Sequence, residues 1–200
     1  MVEKIFWLGH SSVRIQSGTV LYIDPFQIAD GPEADLILIS HAHHDHFSPE
    51  DIRKIRGKET VIVTTPDVAA QLTGEVRPVR PGDRLTVGPV AIEAVSAYNL
   101  DKPFHPKKND WVGFILTVDG KRIYYAGDTD DVPEMQALKA DIAILPVGGT
   151  YTMTAAEAAA VANRLRPEAA IPVHYGTIVG SADDARRFAE LCRVPVFIEG

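Results

Sequence analysis

Residues His41-Ala42-His43-His44-Asp45-His46 pack four imidazoles and a carboxylate into six positions. Three of those imidazoles and the carboxylate could ligate metal, while His44 reads as an unused neighbour. Neutral imidazole suits zinc, copper, iron and nickel, and the added carboxylate also admits harder ions such as manganese. In an extended segment, residues two apart face the same way, so His41 and His43 can converge on one ion. A following turn can redirect Asp45 and His46, which leaves room for a second ion beside the first. The competing reading, a histidine-rich surface loop that binds nothing specific, fits this context less well.

That context is a strand, a turn and a helix. Leu36-Ile37-Leu38-Ile39 is a short apolar run that reads as a buried strand. Ser48-Pro49, with Asp51 three residues after the serine, reads as a helix N-terminus with a capping box. Residues 5–24 form a β meander punctuated by Gly9 and Ser17-Gly18, and Val20 to Ile23 deliver Asp24-Pro25. Beyond the histidines come strand-like Val61 to Val63, a helix signal at Thr65-Pro66 and a β-rich stretch from Leu85 to Val95. The second half repeats the plan. Strands 112–118 and 122–126 flank Asp119-Gly120, a type I′ hairpin signal, and Asp128 follows directly. Ile142 to Leu145 reads as a strand, Thr154 and Glu157 as a capping box opening a helix through Leu165, and Ala169 to Val173 as a strand ending at His174. Ser181 with Asp184 opens a last helix. Thus His41, His43, Asp45, His46, Asp128 and His174 each lie just beyond a predicted strand, and strand ends in a layered sheet can share one edge.

The 200 residues set a single domain over 1–200 as the expectation, with no linker or low-complexity tract. Cys192 is the only cysteine, which excludes an intrachain disulfide and a thiolate-rich zinc site. A net charge of −7 argues against large nucleic acids as partners but leaves a small anionic substrate in play. Apolar runs are too short for a signal-peptide core or a bilayer span, so no membrane association is expected and the cytoplasm is the expected location. Oligomeric state stays open, a homo-oligomer included.

The motif His41, His43, Asp45, His46 resembles the HxHxDH signature of the metallo-β-lactamase fold superfamily. Asp128 in Ala126-Gly127-Asp128-Thr129 looks like that family's metal-bridging aspartate, and His174 in Pro172-Val173-His174-Tyr175 like its last histidine ligand. Leu8-Gly9-His10-Ser11-Ser12 and Ile23-Asp24-Pro25 further resemble the branch of simple metal-dependent hydrolases that includes ascorbate-6-phosphate lactonases. The resemblance implies an α/β fold, a four-layer αβ/βα sandwich of two mixed β-sheets flanked by helices. It also implies two divalent metal ions, zinc first, with manganese or iron compatible. His41, His43 and a third histidine would hold one ion, and Asp45, His46 and His174 the other, with Asp128 bridging. The third histidine falls in the irregular segment 97–110, where His105 is the sole histidine.

Two ions held in this way would generate hydroxide near neutral pH and polarise the attacked oxygen, so hydrolysis is the implied reaction. Asp45 would both ligate and orient the hydroxide, and His10 could face the substrate as a proton donor. Asp24 could accept a hydrogen bond from a ligating imidazole and fix its tautomer. A turn histidine and a strand-ending Asp-Pro are equally ordinary structural features. Gly148, Gly149 and Tyr151 could shape the pocket, although Gly-Gly beside a strand also makes a plain turn. Lys102, Lys107 and Lys108 could steer a phosphate or carboxylate, although a lysine run is ordinarily a solvated loop. The implied activity is a metal-dependent hydrolase of a small, anionic or neutral, lactone or other ester. A small-molecule phosphodiesterase or nuclease-like enzyme and a non-catalytic metal-binding module are the alternatives. Di-iron redox chemistry is disfavoured, because the chain has no room for a flavin domain.

Overall fold

The computed structural model describes residues 1–198, in which the apolar runs assemble two six-stranded sheets with strands side by side in chain order. The first sheet holds β1 (Ile5–Gly9), β2 (Ser12–Gln16), β3 (Val20–Ile23), β4 (Ala34–Ile39), β5 (Arg56–Thr64) and β6 (Val76–Pro78). The second holds β7 (Arg84–Val87), β8 (Val90–Ser96), β9 (Val112–Val118), β10 (Lys121–Tyr125), β11 (Ile142–Pro146) and β12 (Ala169–Val173). Each sheet starts antiparallel and becomes parallel, at β3 to β4 in the first and at β10 to β11 in the second. Parallel neighbours need crossovers. Helices α1 (Pro49–Ile55), α2 (Pro66–Ala69) and α3 (Ala155–Leu165) supply three of them, and α4 (Ala182–Leu191) follows β12.

Burial on both faces explains why β4 is apolar from Leu36 to Ile39. Leu36 and Leu38 join the core between the sheets, whereas Ile37 and Ile39 face outward and pack with Ile52 and Ile55 of α1. On the far side Ala158, Ala159, Val161 and Ala162 of α3 lie against Ala143 and Leu145 of β11, where methyl-sized side chains let helix and sheet approach closely. The layers therefore run helix, sheet, sheet, helix, the four-layer sandwich expected. The second half does repeat the plan of the first.

Local signals were expressed with two differences. The capping boxes at Thr154 and Ser181 form in full, and Asp119 and Gly120 adopt the positive φ values, 49° and 75°, that a type I′ turn requires. The helix signalled at Thr65-Pro66 lasts only four residues. At α1 the box is half made. Ser48 accepts from Asp51 N–H, but the Asp51 carboxylate takes the Ser48 hydroxyl (2.6 Å) in place of its backbone N–H, and also accepts from Gln27 N–H (2.8 Å), Ile28 N–H (3.2 Å) and Lys54 Nζ (2.8 Å). Asp51 thereby pins the loop after β3, whose donors compete for its oxygens better than a solvated helix end. Among the described residues, no helix is long and apolar enough to cross a membrane.

Candidate metal centre

The chain leaves β1, β3, β4, β8, β10 and β12 at one edge of the sandwich, and each exit carries a group of the site. Backbone hydrogen bonds stitch the two sheets together there, from His174 N–H to His10 C=O (2.8 Å) and from Val112 N–H to Ser40 C=O (3.2 Å). His10, Asp24 and His174 have left-handed backbones, at φ 48°, 46° and 60°. Non-glycine residues pay roughly 1–2 kcal/mol for that conformation, so the surrounding structure must hold them there. Gly127, at φ 66°, makes the same turn just before Asp128.

The ligating atoms converge. Three overlapping groups have their atoms within 4.8 Å of one another: His41, His43 and His105; His41, His46 and Asp128; and His10, Asp45, His46 and His174. Asp128 stands at the centre, with Oδ1 3.2 Å from His46 Nε2 and Oδ2 3.2 Å from His105 Nε2 and 3.0 Å from His174 Nε2. His46 Nε2, His105 Nε2, His174 Nε2 and Asp128 Oδ1 are buried without a hydrogen-bond partner. Leaving one such atom unsatisfied costs about 1–3 kcal/mol, and here four of them share one small volume. Cations placed among them would satisfy them together. The donor set is all nitrogen and oxygen, which fits zinc, iron or manganese.

Outer groups fix which nitrogen of each ring faces inward. Asn99 Oδ1 accepts from His105 Nδ1–H at 3.0 Å, turning Nε2 toward Asp128. Asp24, fully buried, accepts from His46 Nδ1–H (2.7 Å), Ser40 Oγ–H (2.6 Å), Ser40 N–H (2.7 Å) and Tyr125 O–H (2.7 Å). Because Ser40 spends its hydroxyl proton on Asp24, its oxygen is left to accept from His41 Nδ1–H at 2.9 Å. One carboxylate thus orients two histidines, His46 directly and His41 through Ser40.

Burial first, then the neighbouring His46, holds His41 well below the ordinary histidine pKa, and burial followed by His105 lowers His43. Burial also lowers His10, against its hydrogen bond to Asp45. Burial alone would raise the carboxyl of Asp128, yet His174 and His46 beside it keep it well below the carboxylate range. Burial would raise Asp45 too, but the hydrogen bond from His10, the nearby His46 and a backbone hydrogen bond together lower it. Burial opposes protonation of His46, but Asp128 and Asp24 on its two sides raise it well above the ordinary value. Without metal, His46 therefore carries a proton where a cation would sit.

His41, His43, Asp45, His46, His105, Asp128 and His174 are thus gathered at one point. His44 points away, its side chain 78% exposed. His10 is buried with Nε2 2.9 Å from Asp45 Oδ2, so it joins the cluster from behind Asp45. Gly148 lies so close to His174 that a methyl group there would meet its carbonyl oxygen and sit 3.1 Å from Nδ1. Tyr151 stacks edge-on against Phe104 at 4.7 Å. Lys102 is paired with Asp130 (2.6 Å) and Lys107 with Glu134 (2.8 Å). Sequence reasoning missed Ser40, Asn99, Tyr125 and Trp111, whose ring lies 4.8 Å from His41 and 4.7 Å from His43. Ser40 and Tyr125 had a signal, as the last residues before two ligand turns; Asn99 had none.

Known proteins share this arrangement of chain. The beta-lactamase superfamily domain matches residues 4–174. The chain belongs to the metallo-β-lactamase superfamily. A metal-dependent hydrolase of Pyrococcus abyssi is 32% identical to this superfamily member, over 94% of this chain and 91% of its own. A solved structure from Parabacteroides distasonis, assigned as a metal-dependent hydrolase, is 35% identical with a TM-score of 0.87, over 98% of this chain and 91% of that one. A metallo hydrolase from the archaeon Ignicoccus hospitalis is 25% identical with a TM-score of 0.78, covering 98% and 95%.

Proposed function

We propose that this metal-dependent hydrolase holds two divalent cations and cleaves a small lactone or other ester. The observation that carries the reading is Asp128, whose two oxygens face His46 on one side and His105 and His174 on the other, with four unpartnered buried atoms between them. His41, His43 and His105 would hold one ion, Asp45, His46 and His174 the other, and Asp128 both. Bound there, the ions would supply Lewis acidity, acidifying a water and polarising the attacked oxygen.

The protein's own groups do the rest. Asp45, kept ionised, orients the attacking water through its carboxylate. His10, kept neutral by burial, donates Nε2–H to Asp45 Oδ2 and so holds that carboxylate ionised and aimed at the water. Trp111 shields His41 and His43 from bulk water. The pairing of Lys102 and Lys107 with carboxylates removes the need for an anionic substrate, so neutral esters are included. The net charge of −7 supports a small molecule over a nucleic acid. His43→Ala and Asp128→Ala should each lower metal occupancy and hydrolysis of a lactone and ester panel together. Full activity at unchanged occupancy would overturn the assignment, and turnover of phosphodiesters alone would replace the substrate class.

A further inference from the structure

Among the described residues, five large apolar side chains are exposed, and three of them, Leu100 (59%), Phe104 (41%) and Ile178 (41%), stand on the two loops that carry His105 and His174. Exposed singles need no explanation, but all three of these lie on loops that carry candidate ligands. Phe104 immediately precedes His105, and its ring packs edge-on against Tyr151 at 4.7 Å. Tyr151 belongs to the loop after β11, tied to the His105 loop by Asn99 Nδ2–H donating to Tyr151 C=O at 2.9 Å. The same loop abuts the His174 loop at Gly148, where an added methyl group would lie 3.0 Å from Val179. Phe104 and Tyr151 therefore form one aromatic patch beside His105, with Leu100 on the same loop as Phe104 and Ile178 on the loop that abuts Gly148.

We propose that Phe104 and Tyr151, flanked by Leu100 and Ile178, form a hydrophobic clamp that selects substrates bearing an alkyl or aryl group. The proposal rests on the hydrolase reading above and names the substrate class for that site. Two observations favour a substrate group over a protein partner as the occupant. The rings are already packed against each other, a preorganised wall of low entropic cost. The exposed area is on the order of 300 Å², about half of the roughly 600 Å² that each partner buries in even a small specific protein interface. Charge points the same way, since Lys102 and Lys107 beside the patch are matched by Asp130 and Glu134.

Straight-chain carboxylates from acetate to octanoate, as product analogues, should be titrated into the metal-loaded protein by calorimetry, and γ-lactones with alkyl tails of matching length assayed in parallel. Kd should fall by about three- to fourfold for each methylene buried on the clamp. The double variant Phe104→Ala with Tyr151→Ala should keep its metal content and melting temperature but bind acetate and octanoate alike. Leu100→Ala should give an intermediate slope. A wild-type slope of zero, or the same slope in the double variant, would overturn the clamp. Chain-length-dependent binding without hydrolysis of any lactone would uphold the clamp and overturn the lactone reading. Hydrolysis without chain-length dependence would do the reverse.

Discussion

Replacing Asp24 by Asn changes one atom and leaves volume intact, yet the hydrogen-bond inventory forbids a neutral outcome. Asp24 Oδ1 accepts from Ser40 N–H, and Oδ2 accepts from Ser40 Oγ, His46 Nδ1 and Tyr125 O–H, all within 2.7 Å. If the amide oxygen stays on Ser40 N–H, the new NH₂ faces three donors. The two hydroxyls can rotate, but His46 can adapt only by moving its proton from Nδ1 to Nε2, the atom aimed at Asp128 and the second ion. If the amide flips, NH₂ meets the backbone N–H of Ser40, a donor on a donor. Losing an outer partner of a ligating histidine typically costs 10–100-fold in metal affinity. Breaking a buried carboxylate network costs about 3–5 kcal/mol, or roughly 6–20 °C in Tm for a chain of this length. Competition with a chromophoric chelator gives the affinity, and thermal melting with and without metal gives the stability. Unchanged affinity and Tm in Asp24→Asn would refute the claim that Asp24 orients the ligands.

The proton on His46 makes metal binding pH-dependent. Burial opposes that proton, but Asp128 and Asp24 raise the pKa, so below the raised value each binding event expels one proton and apparent affinity should climb up to about tenfold per pH unit. In the metal-free protein the sign is the opposite. The His46 contribution to stability is complete below the unfolded value near about 6.5 and is lost as pH rises through the folded one. Calorimetry in buffers of different ionisation enthalpy would detect the released proton, and its absence would contradict the assignment. Gly148→Ala should push the His174 loop outward, because the new methyl group meets the His174 carbonyl and lies 3.1 Å from Nδ1. Loss of one metal equivalent with most of the Tm retained is expected, and full occupancy would show that the loop yields elsewhere.

Much of the site was legible because its chemistry is local. The motif 41–46 sits in one turn, and Asp128 and His174 each end an apolar strand whose periodicity reveals it. His105 was identifiable only as the sole histidine of an irregular segment, since no element boundary marks it. What orients it is Asn99, six residues away across a loop, and such loop-to-loop contacts leave no periodic trace. The Asp24 hub is similar. Its place after β3 was readable, but Tyr125 reaches it from the other sheet, across 101 positions of chain. The diverted carboxylate of Asp51 shows tertiary partners overriding a local helix signal.

The central claim is a pair of cations sharing Asp128, and the most direct test counts them. Protein prepared without added metal or affinity tag would be reconstituted with zinc, manganese or iron, freed of excess by gel filtration and measured by elemental mass spectrometry. Close to two equivalents per chain, falling to one or fewer in Asp128→Ala, is the predicted result. One equivalent that Asp128→Ala leaves unchanged would contradict the binuclear centre.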